Sequence, residues 1–205
     1  MSNEYEYITY KFCLLGEKSV GKTSIMRRIS KDEFEEKMIS SIGIDVITLS
    51  FDDIEINENE VKSFKIQLID TAGQEKYQSI TKNYYRNSDA IILVYDINNE
   101  DSFELLENWI IQIKENFNDV NLVMLLDNKS DLERKVDERQ RREFVKTYNL
   151  YWGGECSAKS FTQKKFQRIF KDFIMHVYSK IGQNQKKEQK LEDKPIKATK
   201  SSKCC

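Results

Sequence analysis

The pattern of apolar and polar residues along the chain predicts strands and helices in alternation. Strand-like patterns, either alternating or continuously apolar, occupy six stretches: Ile8–Leu15, Ile44–Phe51, Val61–Ile69, Ala90–Ile97, Asn121–Leu126 and Tyr151–Cys156. Apolar residues at helical spacing mark four further stretches: Thr23–Ile29, Asp101–Phe117, Asp137–Tyr148 and Phe161–Ile181. Strands that alternate with helices predict an α/β fold, in which helices cover both faces of a mostly parallel sheet.

Two details refine that sheet. The polar turn Asn57–Glu60 joins the second and third strand patterns and predicts an antiparallel hairpin. We therefore expect six strands, one of them an antiparallel edge strand, and about five helices. Gly153 and Gly154 interrupt the last strand, which should be weakened or bulged there. Ligands of such sheets bind beyond the carboxyl ends of the strands, so the loops after the strands are the place to look for chemistry.

The loop after the first strand has a phosphate-binding pattern. Gly16–Thr23 matches G-x-x-x-x-G-K-[ST] and lies between a predicted strand and a predicted helix. Such a loop points backbone N–H groups at phosphate oxygens, and the helix N-terminus adds its positive dipole end. Lys22 would neutralise the outer phosphates, and the Thr23 hydroxyl would be a ligand of Mg²⁺. An ordinary glycine turn is the alternative interpretation. The predicted phosphate-contacting residues are Gly16, Lys18, Ser19, Val20, Gly21, Lys22, Thr23 and Ser24.

The loop after the third strand has residues suited to a metal and to hydrolysis. Asp70 at the strand end can hold Mg²⁺, commonly through water. Gly73 lets a backbone N–H approach a terminal phosphate, and the Gln74 amide can orient an attacking water. Alone, this loop is equally well explained as a turn that happens to contain an Asp.

Two later loops have residues suited to a guanine base. The Asp131 carboxylate can accept two parallel hydrogen bonds from the ring N–H and the exocyclic amine of guanine, a donor pair that adenine lacks. Lys129 can lie over the base, and Asn128 can tie this loop to the phosphate loop. Further along, Ser157-Ala158-Lys159 could present the Ala158 N–H to the guanine carbonyl oxygen.

The composition predicts a single cytosolic domain that is followed by a basic tail. With 205 residues, 39% hydrophobic and 33% charged, the chain suits one domain with a charged surface. The net charge of −1 gives no general attraction to nucleic acid, and no secretory signal or membrane-spanning run is apparent. From Gln183 to Cys205 seven lysines oppose three acidic residues, so a tail of +4 follows a body of −5. We expect an extension at 1–7, a folded domain at 8–182 and a disordered tail at 183–205.

The four loops, in this order and approximate spacing, resemble those of the Ras-like small GTPases over residues ~8 to 181. Three local stretches resemble the Rab branch: Ser41–Asp45, Asp70–Tyr77 continuing to Tyr84-Tyr85-Arg86, and the terminal Cys204-Cys205. The resemblance implies a single P-loop GTPase domain that binds GTP or GDP with Mg²⁺ and hydrolyses GTP slowly. It also implies Ser41 as a further magnesium ligand and Phe34 stacked on the base. Independently of the resemblance, His176, the only histidine, lies in the last predicted helix and is expected to be a packing or surface residue.

The resemblance also implies partners and a location. These partners are an exchange factor, a GTPase-activating protein, a GDP-dissociation inhibitor or escort protein, and effectors that bind the switch regions. Prenylation of Cys204 and Cys205 would anchor a monomer to the cytoplasmic face of an intracellular membrane in vesicle-mediated transport.

The chain departs from the family pattern near the switch. Ser41 replaces the usual Thr, Lys18 stands where small or uncharged residues are usual, and Val46 and Ile69 replace two of three aromatic effector contacts; Tyr84 keeps the third. For Val46 and Ile69, strand packing explains the residues at least as well as recognition does. Two other classes stay open. One is a non-hydrolysing scaffold, which only Ser41 and Lys18 favour and which the intact Gly73 and Gln74 oppose; the other is a P-loop kinase for adenine nucleotides.

Overall fold

The chain forms one mixed sheet between two layers of helices. The computed structural model describes residues 6–34, 45–71, 86–117 and 119–192. Six strands lie in these ranges: β1 (Tyr7–Leu15), β2 (Asp45–Asn57), β3 (Glu60–Asp70), β4 (Ala90–Asp96), β5 (Val123–Asn128) and β6 (Tyr151–Glu155). The same ranges contain five α-helices and a 3-10 turn at Val120–Leu122: α1 (Lys22–Lys31), α2 (Glu100–Glu104), α3 (Leu106–Asn116), α4 (Glu138–Tyr148) and α5 (Gln163–Glu192).

The strand order confirms the predicted sheet. It is β2-β3-β1-β4-β5-β6, with β2 antiparallel to β3 and the other neighbours parallel. The carboxyl ends of β1, β3, β4 and β5 therefore meet at one edge, where the predicted phosphate, metal and guanine loops follow them. No helix among the described residues is long and apolar enough to cross a membrane.

Side-chain alternation along the central strands builds two hydrophobic cores. Phe12 and Leu14 of β1 face α1 and α5, while Cys13 and Leu15 face α3 and α4. The central strands β4 and β5 are buried along their whole length, as their continuous apolar runs predict. His176 on α5 packs beside Tyr151 of β6, with tilted rings whose centroids are 4.7 Å apart.

Two helices differ from the sequence-based bounds. The predicted helix 101–117 is interrupted at Leu105, where a turn separates α2 from α3. The turn before it is held to the end of β4 by Ser102, whose hydroxyl donates to Asp96 O at 3.2 Å. The last helix continues to Glu192, so the first ten residues of the predicted tail, 183–192, are helical. Gln, Lys and Glu are good helix formers, so polar composition did not mark the end of this helix.

The glycine pair in β6 does produce the predicted irregularity. The register between β5 and β6 shifts between Leu125 and Asp127. Gly154 has φ +91°, a conformation that L side chains rarely adopt. A Cβ on Gly153 would lie 2.5 Å from Met124 Sδ, so this position has no room for a side chain. The pair lets an edge strand lie tightly over Met124.

We expect Gly153→Ala to lower the free energy of unfolding by about 1–3 kcal/mol, because it overpacks a close contact. Urea unfolding monitored by circular dichroism measures the change. Gly182→Ala is the matched control, since nothing lies within 4 Å of an added Cβ there. Because Gly182 lies inside a helix, its replacement by Ala should raise the free energy of unfolding by about 0.5–1 kcal/mol. Equal effects at the two positions would contradict the packing explanation.

Candidate nucleotide site

The loop between β1 and α1 has the backbone shape that its sequence predicts. Gly21 has φ +100°, and a Cβ there would lie 2.3 Å from Asn128 Nδ2. The positive φ favours glycine at this position, because other residues rarely adopt it. The short distance to Asn128 leaves room only for a hydrogen atom in place of a side chain. Ser19 has φ 65° although it is not glycine. Lys18 and Ser19 are exposed on this loop, whereas Val20 is buried and Ser24 is half-buried in the first turn of α1.

Lys22 is held in place within the loop. Its side chain is buried, and Nζ donates to Gly16 O at 2.7 Å and to Glu17 O at 2.9 Å. These carbonyls position an ammonium group inside the curl of the loop. A buried cation there, beside the N-terminus of α1, suits a phosphate group as ligand.

Thr23 at the start of α1 and Asp70 at the end of β3 bring two side-chain oxygens together. The Thr23 hydroxyl donates to Asp70 Oδ2, and both side chains are buried. A hydroxyl and a carboxylate are hard oxygen donors, the kind that Mg²⁺ prefers. The described residues hold no group of three or more His, Cys, Asp or Glu that could cage a metal. Two protein oxygens fit a Mg²⁺ ion whose other ligands are water and phosphate.

Asn128 connects three of the predicted loops. Its Nδ2 donates to Val20 O at 2.7 Å, and its Oδ1 accepts from the Ala158 N–H at 3.2 Å. Burial raises the pKa of the Cys156 thiol, which stays protonated and can donate to Asn128 Oδ1 at 3.6 Å. The phosphate loop, the 128–131 loop and the 157–159 loop are therefore fixed to one another through a single buried amide.

The remaining base-contacting candidates lie around that amide. Ser157 donates its hydroxyl to Asp131 Oδ1, which orients an otherwise exposed carboxylate. Lys129, with φ 65°, forms an ion pair with Asp96 in which Nζ and Oδ2 are 2.6 Å apart. Lys159 is exposed and follows Ala158 in the same loop.

Sequence reasoning missed Arg28 on α1. Its Nε donates to Ala158 O at 2.9 Å and its Nη2 to Lys159 O at 3.2 Å. Its guanidinium also lies 6.0 Å from the centroid of the Phe34 ring, and so places that ring beside the 157–159 loop. An arginine at helical spacing gives no local signal for this role, because its partners lie about 130 residues away.

Arg28→Ala should release bound GDP about tenfold faster, since losing charge-assisted hydrogen bonds costs roughly 1.5 kcal/mol or more. Displacement of a fluorescent GDP analogue measures the rate. Arg168→Ala, on the exposed face of α5, is the matched control and should leave the rate unchanged. A rate within twofold of the unaltered protein for Arg28→Ala would remove Arg28 from the site.

Glu17 and Trp109 are a second pair that the sequence did not indicate. The Trp109 indole N–H on α3 donates to Glu17 Oε1 at 2.9 Å. This hydrogen bond ties the start of the phosphate loop to the helix layer opposite α1. The loop is therefore fixed from both sides of the sheet.

Several predicted residues lie outside the described ranges. These are Ser41, Gly73, Gln74, Tyr84, Cys204 and Cys205. The two substituted effector positions are described and differ from each other. Val46 is 55% exposed and Ile69 only 8%, although the two are paired across β2 and β3. The packing interpretation therefore holds for Ile69, while Val46 presents its side chain to solvent.

Comparison with known proteins agrees with this geometry. The model of the Ras family matches residues 11–179. The chain therefore belongs to the Ras family of small GTPases, hydrolases that act on GTP.

Relatives in the Rab branch match nearly the whole chain. Ras-related protein Rab-13 of Canis lupus familiaris is 36% identical over 208 residues, which cover 100% of this chain and 98% of the relative. Ras-related protein Rab-8B of Pongo abelii is 37% identical over 186 residues, which cover 89% of this chain and 86% of the relative. Ras-related protein Rab-30 of Homo sapiens is 34% identical over 183 residues, which cover 88% of this chain and 85% of the relative. Within the Ras family, this protein is a Rab-type small GTPase.

Proposed function

We propose that this chain binds GTP and GDP with Mg²⁺, hydrolyses GTP slowly and acts as a membrane-attached switch in vesicle-mediated transport. The observation that carries the proposal is the Asn128 side chain, which fixes a phosphate-type loop and two guanine-type loops in one arrangement. Membership of the Rab branch supports the same assignment.

The phosphates would lie in the loop Gly16–Ser24. Lys22 would place its buried ammonium on the outer phosphates, where charge-assisted hydrogen bonds are strong. Thr23 and Asp70, together with Ser41, would hold Mg²⁺, which neutralises phosphate charge when bound. Gly73 would give its backbone N–H to the terminal phosphate, and Gln74 would orient the attacking water.

The base would lie between the 128–131 loop and the 157–159 loop. Asp131 would accept the two guanine N–H groups and Ala158 would donate to the carbonyl oxygen. Lys129 and Phe34 would lie on the two faces of the ring. Ser157 orients Asp131 by its hydrogen bond, and Lys159, exposed in the 157–159 loop, would border the base.

Single-turnover phosphate release tests hydrolysis. Protein loaded with GTP and Mg²⁺ should release phosphate slowly but above the buffer rate, and faster with an activating protein. Gln74→Leu should abolish the acceleration, whereas Gln167→Leu on the exposed face of α5 should not. Release equal to buffer under both conditions would favour the scaffold alternative, which Ser41 and Lys18 suggest.

Membrane attachment rests on Cys204 and Cys205, which we propose as prenylation sites. Two lipid chains give stable anchoring, whereas one is marginal. In a membrane fractionation of cells that express tagged protein, the double Ser variant should move to the soluble fraction and a single Ser variant should divide between fractions. Full retention of the double variant on membranes would exclude these cysteines as the anchor. Exchange factor, activating protein, GDP-dissociation inhibitor and effectors are the partners expected for such a cycle.

A further inference from the structure

A cluster of charged side chains is buried behind the 128–134 loop, called here the guanine loop because it contains Lys129 and Asp131. Asp127, the residue before Asn128, is fully buried at the end of β5. Arg141 of α4 is also buried, with Nε 3.3 Å from Asp127 Oδ2. The Trp152 indole N–H donates to Asp127 Oδ1 at 3.3 Å and its ring lies 3.9 Å from the Arg141 guanidinium. Burying an ion pair carries a large desolvation penalty for each ion, so stability alone is a weak reason for this cluster.

A second arginine brings the far end of the guanine loop to the same carboxylate. Arg134 Nη2 is 2.7 Å from Glu155 Oε1 on β6 and 4.0 Å from Asp127 Oδ2. The segment 128–133 contains Lys129 and Asp131. It starts directly after Asp127 in the chain, and the residue that follows it, Arg134, lies beside the Asp127 carboxylate. The two ends of the loop are held at one point by opposite charges.

The cluster is one residue away from the groups that would contact nucleotide. Alternation along β5 sends Asp127 toward α4 and Asn128 toward the phosphate loop. The backbone is coupled as well: the Cys156 N–H donates to Asp127 O at 2.7 Å, and the Ser130 N–H donates to Cys156 O at 2.9 Å. A shift of Asp127 must therefore move the 128–131 loop and the strand end that leads to Ala158.

Several contacts inside the cluster are held by attraction between charges and not by well-aligned hydrogen bonds. Four buried polar atoms converge without a well-aligned hydrogen bond in the described part of the chain: Tyr95 Oη, Asp127 Oδ2, Arg134 Nη2 and Arg141 Nε. The attraction of Arg141 and Arg134 to this site therefore depends on the charge of Asp127. Replacing Asp127 by its isostere Asn and Arg141 by Gln should remove this attraction while keeping most of the space filled.

We propose that Asp127, through Arg141 and Arg134, is a positioning residue for guanine nucleotide: its charge clamps both ends of the 128–134 loop and slows nucleotide release. This inference rests on the proposed function. Asp127 does not contact the base, so base selectivity stays with Asp131.

The clamp has a pH dependence with a definite sign. Burial raises the pKa of Asp127 from 3.8 to about 6, against the opposing effect of Arg141. The charged and titratable groups that face it are Tyr95 from β4, Arg134 from the loop, Arg141 from α4 and Glu155 from β6. The carboxylate is charged at pH 7.5 and becomes neutral as the pH falls through about 6. The clamp on the loop is therefore present above that pH and lost below it. Because the pKa of Asp127 is higher in the folded than in the unfolded chain, protonation of Asp127 at low pH weakens the clamp without unfolding the protein.

The test compares two double variants in the full-length protein. Asp127→Asn/Arg141→Gln neutralises the buried pair, and Glu138→Gln/Arg142→Gln neutralises an exposed pair on the same helix, in which Nη1 and Oε2 are 3.6 Å apart. Release of a fluorescent GDP analogue is measured from pH 7.5 to 5.5, with Mg²⁺. We expect the buried-pair variant to release GDP about tenfold faster at pH 7.5, and the exposed-pair variant to match the unaltered protein. Release should speed up below about pH 6 in the unaltered protein but not in the buried-pair variant.

Each outcome decides the inference. GDP release within twofold of the unaltered protein in a folded buried-pair variant would overturn it, as would the same pH profile in both proteins. If that variant does not fold, the unaltered protein still tests the clamp, since a flat profile down to pH 5.5 would exclude it. His176→Gln, which removes the only histidine, must keep the acceleration. If the unaltered protein retains no GDP at all, the proposed function fails instead.

Discussion

Asp131→Asn should invert the base preference of this protein from guanine to xanthine. The Asp131 carboxylate would accept both N–H groups of guanine, and an amide offers one acceptor and one donor. That donor opposes the exocyclic amine of guanine but matches the C2 carbonyl of xanthine. With hydrogen bonds to charged groups contributing roughly 1.5–3 kcal/mol each, GDP affinity should fall about 10²- to 10³-fold. Xanthosine diphosphate should gain by a similar factor.

Titration calorimetry with GDP and with xanthosine diphosphate measures both affinities. Asp172→Asn is the matched control, because Asp172 is exposed on α5 and distant in sequence from the loop. Ser157 orients Asp131 by a hydroxyl that can also donate to an amide oxygen, so the loop should keep its place. Unchanged GDP affinity in the variant would show that Asp131 does not contact the base.

Gly21→Ala should abolish tight nucleotide binding by displacing the phosphate loop from Asn128. The added Cβ would lie 2.3 Å from Asn128 Nδ2, at a residue with φ +100°. Relief of that overlap requires loss of the bond from Asn128 to Val20 O, and with it the link between the phosphate and guanine loops. A strained backbone at a non-glycine residue adds about 1–2 kcal/mol. We expect GDP affinity to fall at least about 10²-fold.

Calorimetric titration with GDP also tests this variant, and circular dichroism checks that it remains folded. Gly182→Ala introduces the same methyl group where it meets nothing within 4 Å, so its affinity should be unchanged. A folded Gly21→Ala protein with normal GDP affinity would mean that the contact between Gly21 and Asn128 is not needed for binding.

The sheet and its loops were predictable because their signals are local. Continuous apolar runs mark β4 and β5, and the glycines and the lysine of the phosphate loop lie within eight residues of one another. The bulge in β6 was predictable for the same reason, since Gly153 and Gly154 are adjacent. The structure then brings the phosphate-type loop together with the 128–131 and 157–159 loops in the way that the strand order requires.

The missed features depend on partners far away in the sequence. Asp127 was left outside the fifth strand because a carboxylate ends an apolar run, yet Arg141 and Trp152 allow it to be buried as a strand residue. Arg28 was missed because its partners come from the 157–159 loop. Val46 and Ile69 differ in exposure although both are β-branched, because the two strands hold different places in the sheet: β2 is its edge and β3 lies inside it.

The central claim is that this Rab-type chain holds a guanine nucleotide between its phosphate loop and its guanine loops. Purified protein kept in Mg²⁺ should be denatured and the released small molecules separated by ion-exchange chromatography. We predict GDP or GTP in about one-to-one ratio to protein, and none from the Gly21→Ala variant. Release of an adenine nucleotide, or of no nucleotide from folded protein that also fails to take up added GDP, would contradict the account.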